Sequence, residues 1–326
     1  MTNATSPVIF SFALTGPERG EQLHGADIAR CLKEKTLGWV HLGADNPQTP
    51  AWIAQQMDYL DETVIEALTQ PSTRSRASRI GHGALVVLRG LNLNEGKDPE
   101  DMVAIRIWAE AERIVTLSRQ RVRALEDLAH EVSGGQGPES TGEFLALLAE
   151  RLNARLEPLI TDLDQETDSL ETQVVSTPDQ DLRHRIVAMR LQVIELRRHM
   201  APQREALEQL ESEDMPFSDD NDRRHMREAR EKLVRLVENL DEMKDSLAVL
   251  REELSGQLSD RLNRHMYILS ILSAIFLPLG FLTGLLGINV GGMPGADNPT
   301  AFWMVCGGLV LVVVFQILIL RRARWL

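Results

Sequence analysis

The sequence predicts an α+β protein: an α/β domain with a mixed sheet, a helical hairpin, and a very long helix that runs into a two-helix membrane hairpin. Three observations predict it. Met266 to Leu286 is a run of 21 residues without a charge, about 30 Å of helix and one hydrocarbon thickness. After a short hinge, Gly287 to Thr300, a second uncharged run follows from Ala301 to Leu320. Upstream, Leu233, Leu240, Leu247 and Leu254 recur at seven residues, with Leu236, Met243 and Leu250 between them. That heptad seam continues without a break into the first span.

The N-terminal region alternates short apolar runs with helical periodicity. VIFSFAL (Val8 to Leu14) and LGWVHLG (Leu37 to Gly43) have strand length and composition, and Ala26 to Lys35 between them has a helical pattern. Trp52 to Gln70 predicts one amphipathic helix with Ile53, Met57, Leu60, Val64 and Leu68 inward. A basic connection, PSTRSRASR, is expected to be a solvated loop carrying Arg74, Arg76 and Arg79. No Gly-rich loop precedes a helix there, so it lacks the pattern of a phosphate site. ALVVLRGL, VAIRIWAE and RIVTLSR then predict antiparallel strands, and Val122 to Val132 a closing helix.

GGQGPES (Gly134 to Ser140) breaks the pattern. Gly142 to Val175 is helical, with Pro158 as a local bend. Ser176-Thr177-Pro178 has the form of a cap with proline at the first helical position. A second helix with Leu182, Ile186, Met189, Val193, Leu196 and Met200 inward completes an α-hairpin, ended by MPFSDDND. From about Arg223 the last helix before the hinge exceeds sixty residues. A rod of that length must lie along its own domain, and its seam suits contact with copies of itself.

Charge sets the orientation. Arg261 and Arg264 flank one side of the first span, and Arg321, Arg322 and Arg324 flank the same side of the second. The turn holds a single acid, Asp297, and no Lys or Arg, so both termini are expected in the cytoplasm. No targeting peptide is expected from MTNATSPVIF. The net charge is −13; five arginines and one aspartate from Arg261 onward give +4, so residues 1–260 carry −17. An acidic body excludes nucleic acid as a natural partner and attracts cations. Cys31 and Cys306 lie far apart, which points to free thiols rather than a disulfide framework. His24, His41 and His82 are scattered singly. Among enzyme signatures, P-loop, nucleophile-elbow and metal-hydrolase spacings are missing.

On the first span Ser270, Ser273, Gly280, Gly284 and Gly287 share one face, with Leu277 in the gap and Asn263 and Met266 continuing the line backward. Two readings stand: close helix packing through small residues, or a pore lining supplied by several subunits. Two spans per chain enclose no water-filled path, so a pore demands an oligomer. Neither span contains an acid, Lys or His, so no buried charged relay is available. Pro278 is tolerable at bilayer depth if a neighbouring helix or a serine satisfies the carbonyl it frees.

The turn Gly287-Ile288-Asn289-Val290-Gly291-Gly292-Met293-Pro294-Gly295 resembles the signature loop of the CorA family of divalent-cation transporters. The usual signature is Gly-Met-Asn followed by Met-Pro; Ile288 makes this a Gly-Ile-Asn variant, similar to the ZntB-type zinc transporters. The resemblance implies a funnel-shaped homopentamer in the bacterial inner membrane. Its divisions would be a cytoplasmic α/β domain (1–140), a helical hairpin (141–222), a stalk helix (223–265), a pore-lining span (266–286), an external loop (287–300), a second span (301–320) and a basic tail (321–326). It further implies zinc transport, with proton-linked uptake allowed by the family, or else a CorA-type magnesium or cobalt channel. Zinc would be the substrate, and no permanently bound cofactor is implied.

By position, the pore face would comprise Asn263, Met266, Leu269, Ser270, Ser273, Leu277, Gly280 and Gly284, with Met266 and Leu277 as apolar constrictions. Five copies of Asn289 would ring the outer mouth and meet the ion through its water shell. Many relatives have an acid after Met-Pro, where this chain has Gly295, leaving Asp297 as the outer acid. His265 at the inner membrane edge is a further possible ligand, and Glu252, Glu253 and Asp260 are acids near the stalk that could attract cations. A membrane-anchored scaffold, whose hairpin only packs, is the alternative from another class.

Overall fold

A computed structural model describes residues 6–33, 36–70, 74–176, 179–212, 215–287 and 298–322. The chain divides into two compact units, Met1–Arg251 and Glu252–Leu326. The first contains a six-stranded mixed sheet. Strand β1 (Val8–Ala13) pairs antiparallel with β2 (Gly38–Gly43), which pairs parallel with β6 (Arg113–Ser118); β5 (Val103–Glu110), β4 (Gly83–Gly90) and β3 (Arg76–Ile80) continue antiparallel to the edge.

One face of this sheet is covered by α1 (Ala26–Lys33), α2 (Thr49–Gln56) and α3 (Glu62–Thr69). Val40, Leu42, Leu85, Trp108 and Leu117 of the strands share a core there with Ile53, Met57, Val64 and Leu68. The single helix expected over Trp52–Gln70 is therefore two. Asp61 is the reason: its carboxylate accepts from the Thr63 amide at 2.7 Å and its backbone is extended, which starts a new helix. The apolar spacing survives the break because both helices lie on the same layer.

The basic stretch expected as a solvated loop holds β3 instead. Arg76 and Arg79 lie on a strand whose one buried residue is Ala77, so there was almost no alternation to detect. It is an edge strand with charges on it, and Gln209 accepts from the Ala77 amide at 3.2 Å. Charge and cover together keep such an edge from pairing with another chain.

The opposite face of the sheet carries a polar chain inside an aromatic cluster. Trp39 packs edge-on against Phe10 and Phe144, and Phe10 stacks on His41. The Trp39 indole donates to Thr116 Oγ1 at 2.9 Å; Thr116 meets His41 Nδ1 at 2.9 Å, and His41 Nε2 lies 3.3 Å from Ser118 Oγ. Ser118 in turn donates to the Gln120 carbonyl. A neutral imidazole with its proton on Nε2 completes this chain with every donor used. Burial pushes the His41 pKa down to about 4.

Four helices follow the sheet, the last of them running on into the second unit. After α4 (Arg123–Ser133) come α5 (Thr141–Ser176) and α6 (Gln180–Ser212), and then α7 (Asp220–Gly287), 68 residues and about 100 Å long. Thr177 and Pro178 lie outside the described residues. The six residues expected inward on α6 are all buried. The start of α7 is a reciprocal cap: Asp219 accepts from the Asp222 amide at 2.8 Å and Asp222 from the Asp219 amide at 3.2 Å. Asp222 also accepts from Ser140, and a Cβ at Gly142 would collide with its carboxylate, so only glycine fits there.

The heptad seam has its partners inside the chain. Leu233, Leu236, Leu240, Met243, Leu247 and Leu250 are buried. Glu211 of α6 holds Arg227 and Arg230 at 2.6 Å, Asp241 takes Arg197 at 2.5 Å, and Asn153 of α5 donates to the Ala229 carbonyl at 2.7 Å. The rod thus lies along its own domain, as expected. Its seam is already occupied there and is not available for the contact with other copies that the spacing suggested.

Truncating Leu240 to Ala should cost about 2–5 kcal/mol of stability, whereas Val249→Ala, on a side chain 66% exposed, should change it by less than about 0.5 kcal/mol. Denaturant unfolding of the purified protein compares them. For His41, the unfolded chain protonates near pH 6.5 and the fold resists until about 4. Stability should therefore be flat above the first value and fall by about 3 kcal/mol between the two. His41→Gln should flatten that limb of the pH–stability curve.

Candidate ion pathway

Within the second unit, the C-terminal part of α7 faces α8 (Ala301–Arg322). Both are long and apolar enough to cross a membrane. In hydrocarbon every backbone group has to be satisfied within the protein, which is why these runs are helical. Thr283 hands its hydroxyl back to the Leu279 and Gly280 carbonyls. Asn298 receives the Thr300 amide and hydroxyl at 3.0 and 2.8 Å, fixing the entry to α8.

Pro278 lies inside α7 and has no N–H for the carbonyl of Ala274 four residues earlier. Gln316 of α8 supplies the missing donor, its Nε2 lying 3.3 Å from that oxygen. The requirement for help from a neighbouring helix was legible in the sequence. Gln316 was not singled out; the available signal was an amide at mid-depth in one span and a proline in the other.

The two helices meet along defined faces. On α7 the half-buried residues are Ile271, Ile275, Pro278, Leu279 and Leu282; on α8 they include Val305, Leu309, Val312, Val313, Gln316 and Ile317. Phe302, Trp303, Leu311, Phe315 and Leu318 of α8 are exposed, apolar and fit to meet lipid.

The candidate pathway residues lie on the other side of α7. Asn263, Met266, Leu269, Ser270, Ser273, Leu277, Gly280 and Gly284 are all exposed. At about 100° per residue their centre is roughly 160° around the helix from the face that meets α8. Among the described residues, a Cβ added at Gly280, Gly284 or Gly287 would meet nothing within 4 Å. The small residues are therefore not used for packing against α8. His265 is exposed, as are Glu252, Glu253 and Asp260. Among the described residues no three His, Cys, Asp or Glu side chains gather as a metal site. Gly287 ends α7; Ile288, Asn289, Met293, Pro294 and Asp297 lie outside the described residues.

Comparison with known proteins bears on this arrangement. A family profile described as CorA-like Mg2+ transporter protein matches residues 34–322. The divalent cation transporter CmaX of Pseudomonas aeruginosa is 36% identical over 326 residues, covering 98% of this chain and 97% of its own. The zinc transport protein ZntB of Yersinia enterocolitica is 36% identical over 293 residues, with 88% of each chain covered. The solved structure of full-length CmaX superposes with a TM-score of 0.86 at 34% identity, covering all of both chains.

The proline–glutamine contact makes its own prediction. Gln316→Leu should destabilise the hairpin by about 1 kcal/mol. In a Pro278→Ala background, where residue 278 regains its N–H, the same change should be neutral or stabilising. A double-mutant cycle on unfolding in bicelles measures the difference.

Proposed function

Because the chain belongs to the CorA family of divalent-cation transporters, we propose that the cation it moves is zinc, through a homopentameric pore lined by the exposed face of α7. It is a membrane protein with two C-terminal transmembrane helices, and it is a transporter rather than an enzyme. The observation that carries the pore reading is the small-residue face of α7, whose glycines pack against no other element among the described residues. Five such faces around an axis would give the wet path that one hairpin lacks. The remaining apolar surface of α8 would face lipid. Both termini and the N-terminal unit would be cytoplasmic, in a bacterial inner membrane.

The ion would pass largely hydrated. Asn289 would offer a ring of neutral oxygens at the outer mouth, strong enough to orient a water shell and weak enough to release the metal. Ser273 and Ser270 would hand the shell along, and Met266 and Leu277 would close the path by dewetting. Asp297 would draw cations toward the mouth, and His265 could meet them at the inner edge. Zinc is favoured by Ile288 in the signature turn and by 36% identity over 88% of the chain to a protein named for zinc transport. The matched profile's description, which names Mg2+, favours a magnesium or cobalt channel as the second reading. From Met266 to Leu286 the span has no Asp, Glu, Lys, Arg or His, so any proton coupling would draw on groups outside it.

Proteoliposomes loaded with a zinc-sensitive dye should fill with zinc, and Ser273→Leu or Gly280→Leu should reduce entry to near background while the oligomer stays intact. Magnesium entry without zinc entry would replace the ion. An intact oligomer that passes neither would return the hairpin to an anchoring role.

A further inference from the structure

Away from the membrane helices, two neighbouring strands and the residue after a third each bring an arginine to the same space. Arg89 on β4 sits opposite Ala104, and Arg106 on β5 sits opposite Val87 and Leu117, so the two are diagonal neighbours on one face. Arg119 directly follows β6 and lines the same space. They surround a cavity of about 270 Å³ whose lining also includes Lys97, Asp101 and Gln120. Four cations and one carboxylate face this space, in a protein whose overall charge is −13.

The side chains are held in place rather than left to wander in solvent. Arg106 is only 1% exposed and donates Nη2 to the Gln70 carbonyl at 2.5 Å. Arg89 donates Nη1 to the Met102 carbonyl at 2.7 Å, and Arg119 pairs with Asp45 at 2.6 Å. Each of these contacts anchors part of a planar fork of five donors. Leucine or valine would fill this face of a sheet at far lower cost than guanidinium groups facing one another. Burial first, and then the Arg119 and Arg89 charges, hold Arg106 below the ordinary guanidinium value, with Asp45 acting the other way. Lys97, which is exposed, and the half-exposed Arg119 mark the mouth.

We propose that this cavity between β4, β5 and β6 binds a multivalent oxyanion, a phosphate group held by Arg89, Arg106, Arg119 and Lys97. Guanidinium forks match the tetrahedral oxygens of phosphate in pairs, and one doubly charged anion relieves the repulsion among several cations at once. The volume suits an inorganic phosphate or a diphosphate group; the nucleoside of a nucleotide would remain outside the mouth. The proposal is independent of which cation the membrane helices carry.

The full-length protein is titrated in detergent with phosphate, pyrophosphate, ATP and chloride at matched ionic strength, following heat by calorimetry and the thermal midpoint. Phosphate should bind saturably and raise the midpoint where chloride does not. Lys97→Gln and Arg119→Gln, at the mouth, should fold normally and weaken phosphate binding about tenfold or more. Arg76→Gln, on the exposed edge strand, should leave it unchanged. Tighter binding of ATP than of phosphate or pyrophosphate identifies a nucleotide as the source, and the reverse order a free anion. Equal midpoint shifts in phosphate and chloride, or mouth variants that bind phosphate as the wild type does, overturn the site.

Discussion

A single uninterrupted helix has to satisfy two solvents. In the first half of α7, water forces the leucine seam against α5 and α6 and leaves charge on the outer side. In the second half hydrocarbon removes the drive to hide leucine and imposes a different demand, that no peptide group go unpaired. The two halves obey opposite rules for the same residue types. Leu240 is fully buried while Leu285 is 51% exposed, and each is appropriate to its surroundings.

How legible each part was follows from the same physics. Long elements with a sustained period announce themselves: the heptads of α7, the six inward residues of α6 and the uncharged spans all lie where the spacing put them. The break between α2 and α3 was hidden because Asp61 acts through one capping bond while the apolar spacing runs on across it. Strand β3 was hidden because an edge strand with one buried residue has no pattern to show. The use of the leucine seam was only half legible, since a period tells that a face is buried and not which neighbour buries it.

For the candidate pathway the sequence showed which α7 residues share a face but not what that face lacks. That a Cβ at Gly280 or Gly284 would meet no other element among the described residues depends on where α8 lies. Gln316 depends on it even more, because its meaning resides in a carbonyl on another helix. Charge was legible only in bulk. A net acidity of −13 conceals three arginines gathered around one cavity, since summing charges discards the register and turn that bring them together.

The contact between Gln316 and the Ala274 carbonyl ties the helices mechanically as well as energetically. A proline normally leaves a helix free to swivel at the turn above it, because one rung of its ladder is absent. Here that rung is fastened to the adjacent helix, so rotation of α7 at Pro278 would drag α8 with it or break the bond. The two helices are therefore coupled at this depth, and a swing of α7 about its proline has α8 as its counterweight.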